Sequence, residues 1–474
     1  MKYLQLPIVL ALLFGYLFYP LSAGLNVFAF DAAALLGLFA YRPALAHRPA
    51  VRWAVFLLLA SAASIVVVNG PASLLAHHLS FLALLGFVQE RELRFVWYGL
   101  LLGVLALVAG PTRYLKELNV RYRSRIPRSD RWVWIRPMLT AGVVACPFFL
   151  LYSVGNSAFF GSLESLFGWL DRMQGADRFL RFVVVALFGL CCSLPLLLAG
   201  HDFGLIAEED ADPDRLYRSR SNRKGITPPL ALRREYRQGI MVFGTLNLLV
   251  GAVNLTDLRF IWLSATEVPA ATLSEYVHAG TNSLITSILL AMLVVLYFFR
   301  RNLNFYPQAR SLRILAYLWL AQNAFLALSV GVRNWHYVNA YGLAMGRIHV
   351  AFGLCLILVG VYSLYRKVRD RKSLRYLFQV NGLSAWLFLV AFAAVNWSGV
   401  ITRVNLQQPT YRIDWAYLVE DLGRKTYFLL RREEGRMPSR YRQKIQQTVA
   451  PAGDWRTWNY ADWRNVNKGA GARE

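Results

Sequence analysis

The stretch that decides the fold runs 282-NSLITSILLAMLVVLYFF-299, 300-RRNLNFYPQARSLR-313, 314-ILAYLWLAQNAFLALSVGV-332. Its two apolar runs hold no Asp, Glu, Lys or Arg, and the segment between them holds four arginines. A bilayer core takes about 20 apolar residues as a helix, and the backbone there must satisfy its own hydrogen bonds. The stretch therefore reads as two membrane helices joined by a basic loop.

The rest of the chain repeats this pattern. Apolar runs fall at 4–21, 25–41, 53–69, 72–88, 95–110, 138–156, 183–200, 239–254, 282–299, 314–332, 348–365 and 380–396. Hydrophobic residues make up 56% and charged residues 17% of the 474, below the roughly 25% charged of soluble chains, which argues against a soluble enzyme. The net charge is +25. Windows 112–136, 215–237, 300–313 and 366–375 hold 26 of the bases and only four acids (Glu117, Asp130, Glu235, Asp370), and so carry +22 of that excess. A nucleic-acid binder would gather its charge on one folded surface; here it alternates with apolar runs, so no nucleic-acid partner is expected. The expected partner is the lipid bilayer, with the basic loops able to engage anionic lipid head groups.

Retention of Lys and Arg on the cytoplasmic side makes the four basic windows cytoplasmic. The loops near 157–182, 255–281 and 333–347 then face outward. The last span ends outside, which gives a small extracytoplasmic tail from Trp397 to Glu474; its 14 bases do not oppose this, because long segments translocate largely regardless of charge. A strict count of five spans before 112 would put Tyr41 to Arg52 outside, so 95–110 or 72–88 is expected to be interfacial or re-entrant. The start after Lys2 resembles a signal peptide without a convincing cleavage site and reads as a retained first span. The expectation is an all-α polytopic integral membrane protein with 11–12 transmembrane helices, organised as N-terminal helices (1–111), a basic cytoplasmic loop (112–137), a helical bundle (138–396) and a helical tail (397–474). Within the tail, 413–432 and 437–449 have helical composition, and the final eleven residues read as disordered.

Chemistry-bearing residues are few. Glu275 and His278 lie three apart, on one helical face if the helix has started, with Asn282 following; an ionisable pair at the mouth of a membrane helix is a candidate functional site. Alternatively, Thr272 to Glu275 caps the helix. The E-x-x-H spacing occurs in carboxylate-bridged metal sites, but no second such pair is present, and neither a metal nor a cofactor is expected. A second cluster comprises Arg333, Asn334, His336, Tyr337, Asn339, Tyr341, Arg347 and His349, on the same outward side. Arg333 or Arg347 has Glu275, Glu267 or Asp257 as possible ion-pair partners. As function this is a site for an anionic or polar head group; as structure, an ion-pair and aromatic belt. Gln322, Asn323, Asn247, Asn254, Asn381 and Asn396 are candidates for hydrogen bonds between helices, and Asp31 is a carboxylate within a span. Cys146, Cys191, Cys192 and Cys355 lie in apolar runs and form no disulfide or zinc pattern. Neither a phosphate-binding GxxxxGK[ST] nor a G-x-S-x-G elbow occurs.

The stretch Glu275-Tyr-Val-His-Ala-Gly-Thr-Asn-Ser-Leu-Ile resembles an uncharacterised group of bacterial multi-pass inner-membrane proteins built on a domain of unknown function. The resemblance continues through Arg347-Ile-His349, Asn396-Trp-Ser-Gly-Val-Ile-Thr-Arg-Val-Asn405 and Ile413-Asp-Trp-Ala-Tyr-Leu418. It covers roughly 240–430 and implies a place in the inner membrane but no reaction. Three functional classes stay open: transport or handling of a polar, anionic or lipid-linked substrate at the outer side; a membrane scaffold or signalling component; and a membrane-embedded enzyme.

Overall fold

The structure, a computed structural model, describes residues 2–90, 95–122, 176–198, 214–216, 229–263, 285–299, 302–446 and 453–470. Among them are helices throughout and no β-strand, only an isolated antiparallel bridge between Arg215 and Lys372. Among the described residues six helices are long and apolar enough to cross a membrane, and five shorter apolar helices accompany them. The chain is an all-α polytopic membrane protein. Every apolar run outside 138–156, which lies beyond the described residues, overlaps one of these helices.

The chain divides into two compact units. The first, Met1–Leu205 with Ala450–Trp463, contains α1 (Lys2–Phe18), α2 (Leu25–Tyr41), α3 (Pro49–Val67), α4 (Pro71–Gln89), α5 (Val96–Tyr122) and α6 (Ala176–Leu197). Pro49 and Pro71 open α3 and α4, where the missing N–H costs nothing and φ is already helical. Asn26 closes the α1–α2 turn: its Oδ1 accepts from Gly24 N at 2.7 Å, and its Nδ2 donates to Leu17 O at 3.0 Å. Asn69 ties the α3–α4 turn to the same end by donating to Ala23 O at 3.1 Å.

α6 runs antiparallel to α1, with Gly15 against Phe182, Gly189 against Phe14, and the Ser193 hydroxyl on Pro7 O at 3.4 Å. α4 and α5 approach so closely that a Cβ on Gly86 or Gly103 would strike the backbone of Gly99 or Leu82. The Gln89 amide bonds Pro195 O at 2.7 Å, and Gly110 also lies against Pro195. The chain thus leaves α4 beside Pro195 and is back beside it at Gly110, whereas a straight helix from 96 to 110 would carry it about 21 Å away.

The second unit, Ile206–Val449 with Arg464–Glu474, holds α7 (Pro229–Asp257), α8 (Ile285–Phe298), α9 (Arg310–Tyr341), α10 (Met345–Asp370) and α11 (Leu374–Ala393). Its core gathers Phe243, Ile288, Val295, Phe299, Leu312, Trp319, Val361 and Leu377. Polar side chains set the register. Asn247 Nδ2 donates to Leu315 O at 3.0 Å, and one heptad on, Asn254 Nδ2 donates to Gln322 O at 3.1 Å. The constant offset means that α7 and α9 run parallel. Asn381 joins α11 to α10 through Ser363 Oγ at 3.0 Å, whereas Asn323 turns back on its own helix to Trp319 O.

The tail begins with α12 (Trp397–Leu406), capped by Asn396, whose Oδ1 accepts from Gly399 N at 3.0 Å. The segment 413–432, of helical composition, is helical in short pieces, Tyr417–Asp421, Arg424–Thr426 and Tyr427–Leu430, with a break at Gly423, φ +76°. Further on come α13 (Tyr427–Leu430), α14 (Ser439–Gln446) and α15 (Tyr460–Ala470). Disorder of the final eleven residues is corrected as far as Ala470. Arg464 lies 4.4 Å over the Phe428 ring, and Asn465 Oδ1 accepts from Phe428 N at 2.9 Å, so the helix continues on contacts that composition does not reveal.

Candidate functional site

The C-terminal end of α9 and the start of α10 gather the polar side chains singled out in the sequence. Arg333 and Tyr337 are four apart on the buried face of α9. The Arg333 guanidinium pairs with Asp257 at the end of α7, and both are buried, at 8% and 4% exposure. An ion pair removed from water has to be matched closely; here Asp257 Oδ2 and Arg333 Nε keep no hydrogen-bond partner.

Arg347, in the first turn of α10, reaches back to the end of α9. Its Nη1 donates to Tyr341 O at 3.1 Å and to Gly342 O, carbonyls that the helix end leaves without an intrahelical donor. Its guanidinium carbon stands 4.1 Å from the Tyr337 ring centroid, a cation–π contact. Asn334 Nδ2 bonds Arg347 O at 3.0 Å. The Arg347 Nε, buried, has no partner.

The turn between α9 and α10 is held from the tail. Gly342 has φ +78°, a left-handed conformation that a side chain strains. Asn405 Oδ1 accepts from Leu343 N at 2.7 Å, and its Nδ2 donates to Leu343 O at 2.8 Å. Tyr417 OH accepts from Met345 N at 2.8 Å. Beneath lies a cluster of Ile348, Ile401, Ile413, Trp415, Leu418 and Tyr427. Thus Arg347–His349, Asn396–Asn405 and Ile413–Leu418, distant in sequence, meet around one turn.

Of the candidate residues, Arg333 and Arg347 are brought to this end. His336 is half-buried on α9, and His349 is exposed, its ring 5.3 Å from that of Phe392. Glu275, His278 and Asn282 lie outside the described residues, as does Glu267. Sequence reading named Asp257 among several partners for the arginines but missed the roles of Asn405 and Tyr417, whose only signal was their place at the ends of the resembling segments. Among the described residues, no three His, Cys, Asp or Glu side chains come together as a metal site.

The model of a family described as a domain of unknown function, DUF4153, matches residues 33–432. The chain belongs to that family. No curated protein and no solved structure matches it. The DUF4153 match spans both units and ends inside the tail, so the segments around the α9–α10 turn all lie within it.

Proposed function

We propose that this DUF4153 protein binds an anionic or polar head group where α9 meets α10, and handles or transports it at the outer side of the inner membrane. One observation carries the reading: the buried Arg333 and the half-buried Arg347 stand at this end, Asp257 pairs with Arg333 alone, and each arginine keeps a buried Nε–H with no acceptor. An anion supplies the acceptors that the protein withholds. The charge pattern of the loops supports an outward orientation of this end.

The test is thermal unfolding of the purified full chain in neutral-lipid nanodiscs, with inorganic phosphate or short-chain phosphatidylglycerol added. The reading expects stabilisation of the wild type by at least one probe and its loss in Arg347→Gln. Stabilisation by the lipid alone assigns a lipid head group, and by both probes a free anion. Failure of both probes overturns the reading. In a deletion background, Glu275→Gln and His278→Ala are expected to abolish function at unchanged membrane abundance; normal complementation by both removes them from the site.

A scaffold role is the second reading. It draws on the tail, where Tyr411 is 82% and Trp455 53% exposed, as aromatic anchors at protein interfaces are before a partner covers them.

A further inference from the structure

We infer that Asp31 of α2 and His77 of α4 form a proton-binding site within the first unit. Asp31 is 1% exposed, on a helix face shared with Val27, Phe30 and Ala34. Its Oδ2 lies 3.6 Å from His77 Nδ1, and neither atom has a hydrogen-bond partner. An ionised carboxylate alone in such surroundings is costly. A single proton removes the cost in two ways. On the carboxyl group it leaves two neutral side chains; on the ring it leaves an ion pair. Either form is neutral overall, and releasing that proton to water leaves one negative charge, so the proton belongs to the pair.

The position of the pair fits exchange with one side. Asp31 and His77 are each the seventh residue of their helix, about 9 Å from its start. Both starts lie at the same end, because Asn69 bonds Ala23 O there. Exposure rises outward from Asp31: the His77 side chain is 12% exposed, and His78, whose ring centroid is 5.7 Å from that of His77, is exposed and bonds Leu74 O through Nδ1 at 2.6 Å. The side chains Asp31, His77 and His78 thus form a series of rising exposure, from a buried carboxyl group to an imidazole on the outer face of α4.

Other charges on the packed elements stand apart. At the far end, His47 lies in the turn after α2, Arg52 begins α3, and Arg113 of α5 bonds Leu198 O. At the near end, Arg181 on α6 is exposed, and Arg456 is held by Asp454 and the Tyr16 carbonyl. The Cys192 thiol on α6 is buried one turn beyond the contact of Gly189 with Phe14. Among the described residues, His77 is the ionisable group within ion-pair distance of Asp31.

The inference is independent of the anion site, and infrared spectroscopy tests it. pH-difference spectra of the full chain in nanodiscs are expected to contain a protonated-carboxyl band that is lost in Asp31→Asn and displaced in His77→Gln. Spectra of Asp31→Asn that match the wild type overturn the site. If Asp31→Asn fails to fold by circular dichroism, wild type against His77→Gln decides alone, and an unmoved band set then overturns the pairing.

Discussion

Asn405 holds Leu343 by both backbone groups: the side-chain carbonyl accepts from Leu343 N at 2.7 Å, and the side-chain amide donates to Leu343 O at 2.8 Å. The amide thus does for one residue what a neighbouring β-strand would do. It acts where the turn needs it, directly after Gly342 with φ +78° and before Met345, whose N–H goes to Tyr417. The turn in turn presents its carbonyls to Arg347.

Asn405→Ala removes both bonds and leaves a half-buried N–H and C=O without partners, which costs about 1–3 kcal/mol. The expected outcome is a lower thermal midpoint of the purified protein, with local hydrogen exchange raised at 342–346. Asn405→Asp keeps the acceptor and loses the donor, so its loss should be smaller. Equal stability of all three proteins contradicts the role given to Asn405.

The Asp257–Arg333 pair calls for a double-mutant cycle. Removing one partner strands the other as a buried charge, at about 3–5 kcal/mol, whereas replacing both with apolar groups of similar volume is near neutral. Asp257→Leu and Arg333→Met should each destabilise strongly, and the double variant should recover most of the loss. Additive losses in chemical unfolding would show that the two side chains do not depend on each other.

Much of this architecture was legible in the sequence, because membrane spans are set by length and apolarity alone. α2 coincides with the apolar run 25–41, and α9 overruns 314–332 at both ends because arginines such as Arg310 and Arg313 extend toward polar surroundings while their stems stay on the helix. The pairing of Arg333 was narrowed to three acids, Asp257 among them, since a buried charge needs an opposite one. What the sequence withheld came from contacts at long separation. Nothing local marks Asn405 as the partner of Leu343, 62 residues away, and His77 gave no sign of facing Asp31. At 413–432 the helical character was legible but its break was not, because composition reports helix preference and not where a glycine such as Gly423 turns the chain.

The turn carrying Asp454 predicts a pH dependence. The Arg456 guanidinium and its backbone N–H bond the Asp454 carboxylate and hold it below the ordinary carboxylate range. A depressed pKa means that the folded turn binds its proton more weakly than the unfolded one. Its contribution is therefore fully present above the unfolded value of about 3.9 and fades as pH falls through the folded one. Protection of residues 453–463 in hydrogen exchange, corrected for intrinsic rates, should hold from neutral pH to about 4 and fall only in stronger acid. In Arg456→Gln the fall should move to higher pH; an unshifted profile rules out this guanidinium as the cause.

The last prediction concerns sidedness. The turn at 454–458 docks on the α1–α2 connection: Leu25 N donates to Trp458 O at 3.0 Å, and Arg456 donates to the Tyr16 carbonyl. The two segments therefore occupy the same side of the membrane. The proposed orientation makes that side the outer one: Arg366, Lys367, Arg369, Arg371 and Lys372 close α10, retention of bases would keep them cytoplasmic, and α11 would then cross once to the tail. Alkaline phosphatase fused after Thr410 should be active and fused after Arg371 inactive, and a cysteine at Ser22 should react with an impermeant maleimide in intact cells. The reverse pattern of fusions would invert the whole topology and move the α9–α10 turn to the cytoplasm, while activity after Thr410 with an unreactive Ser22→Cys would break the link between the tail and the α1–α2 turn alone.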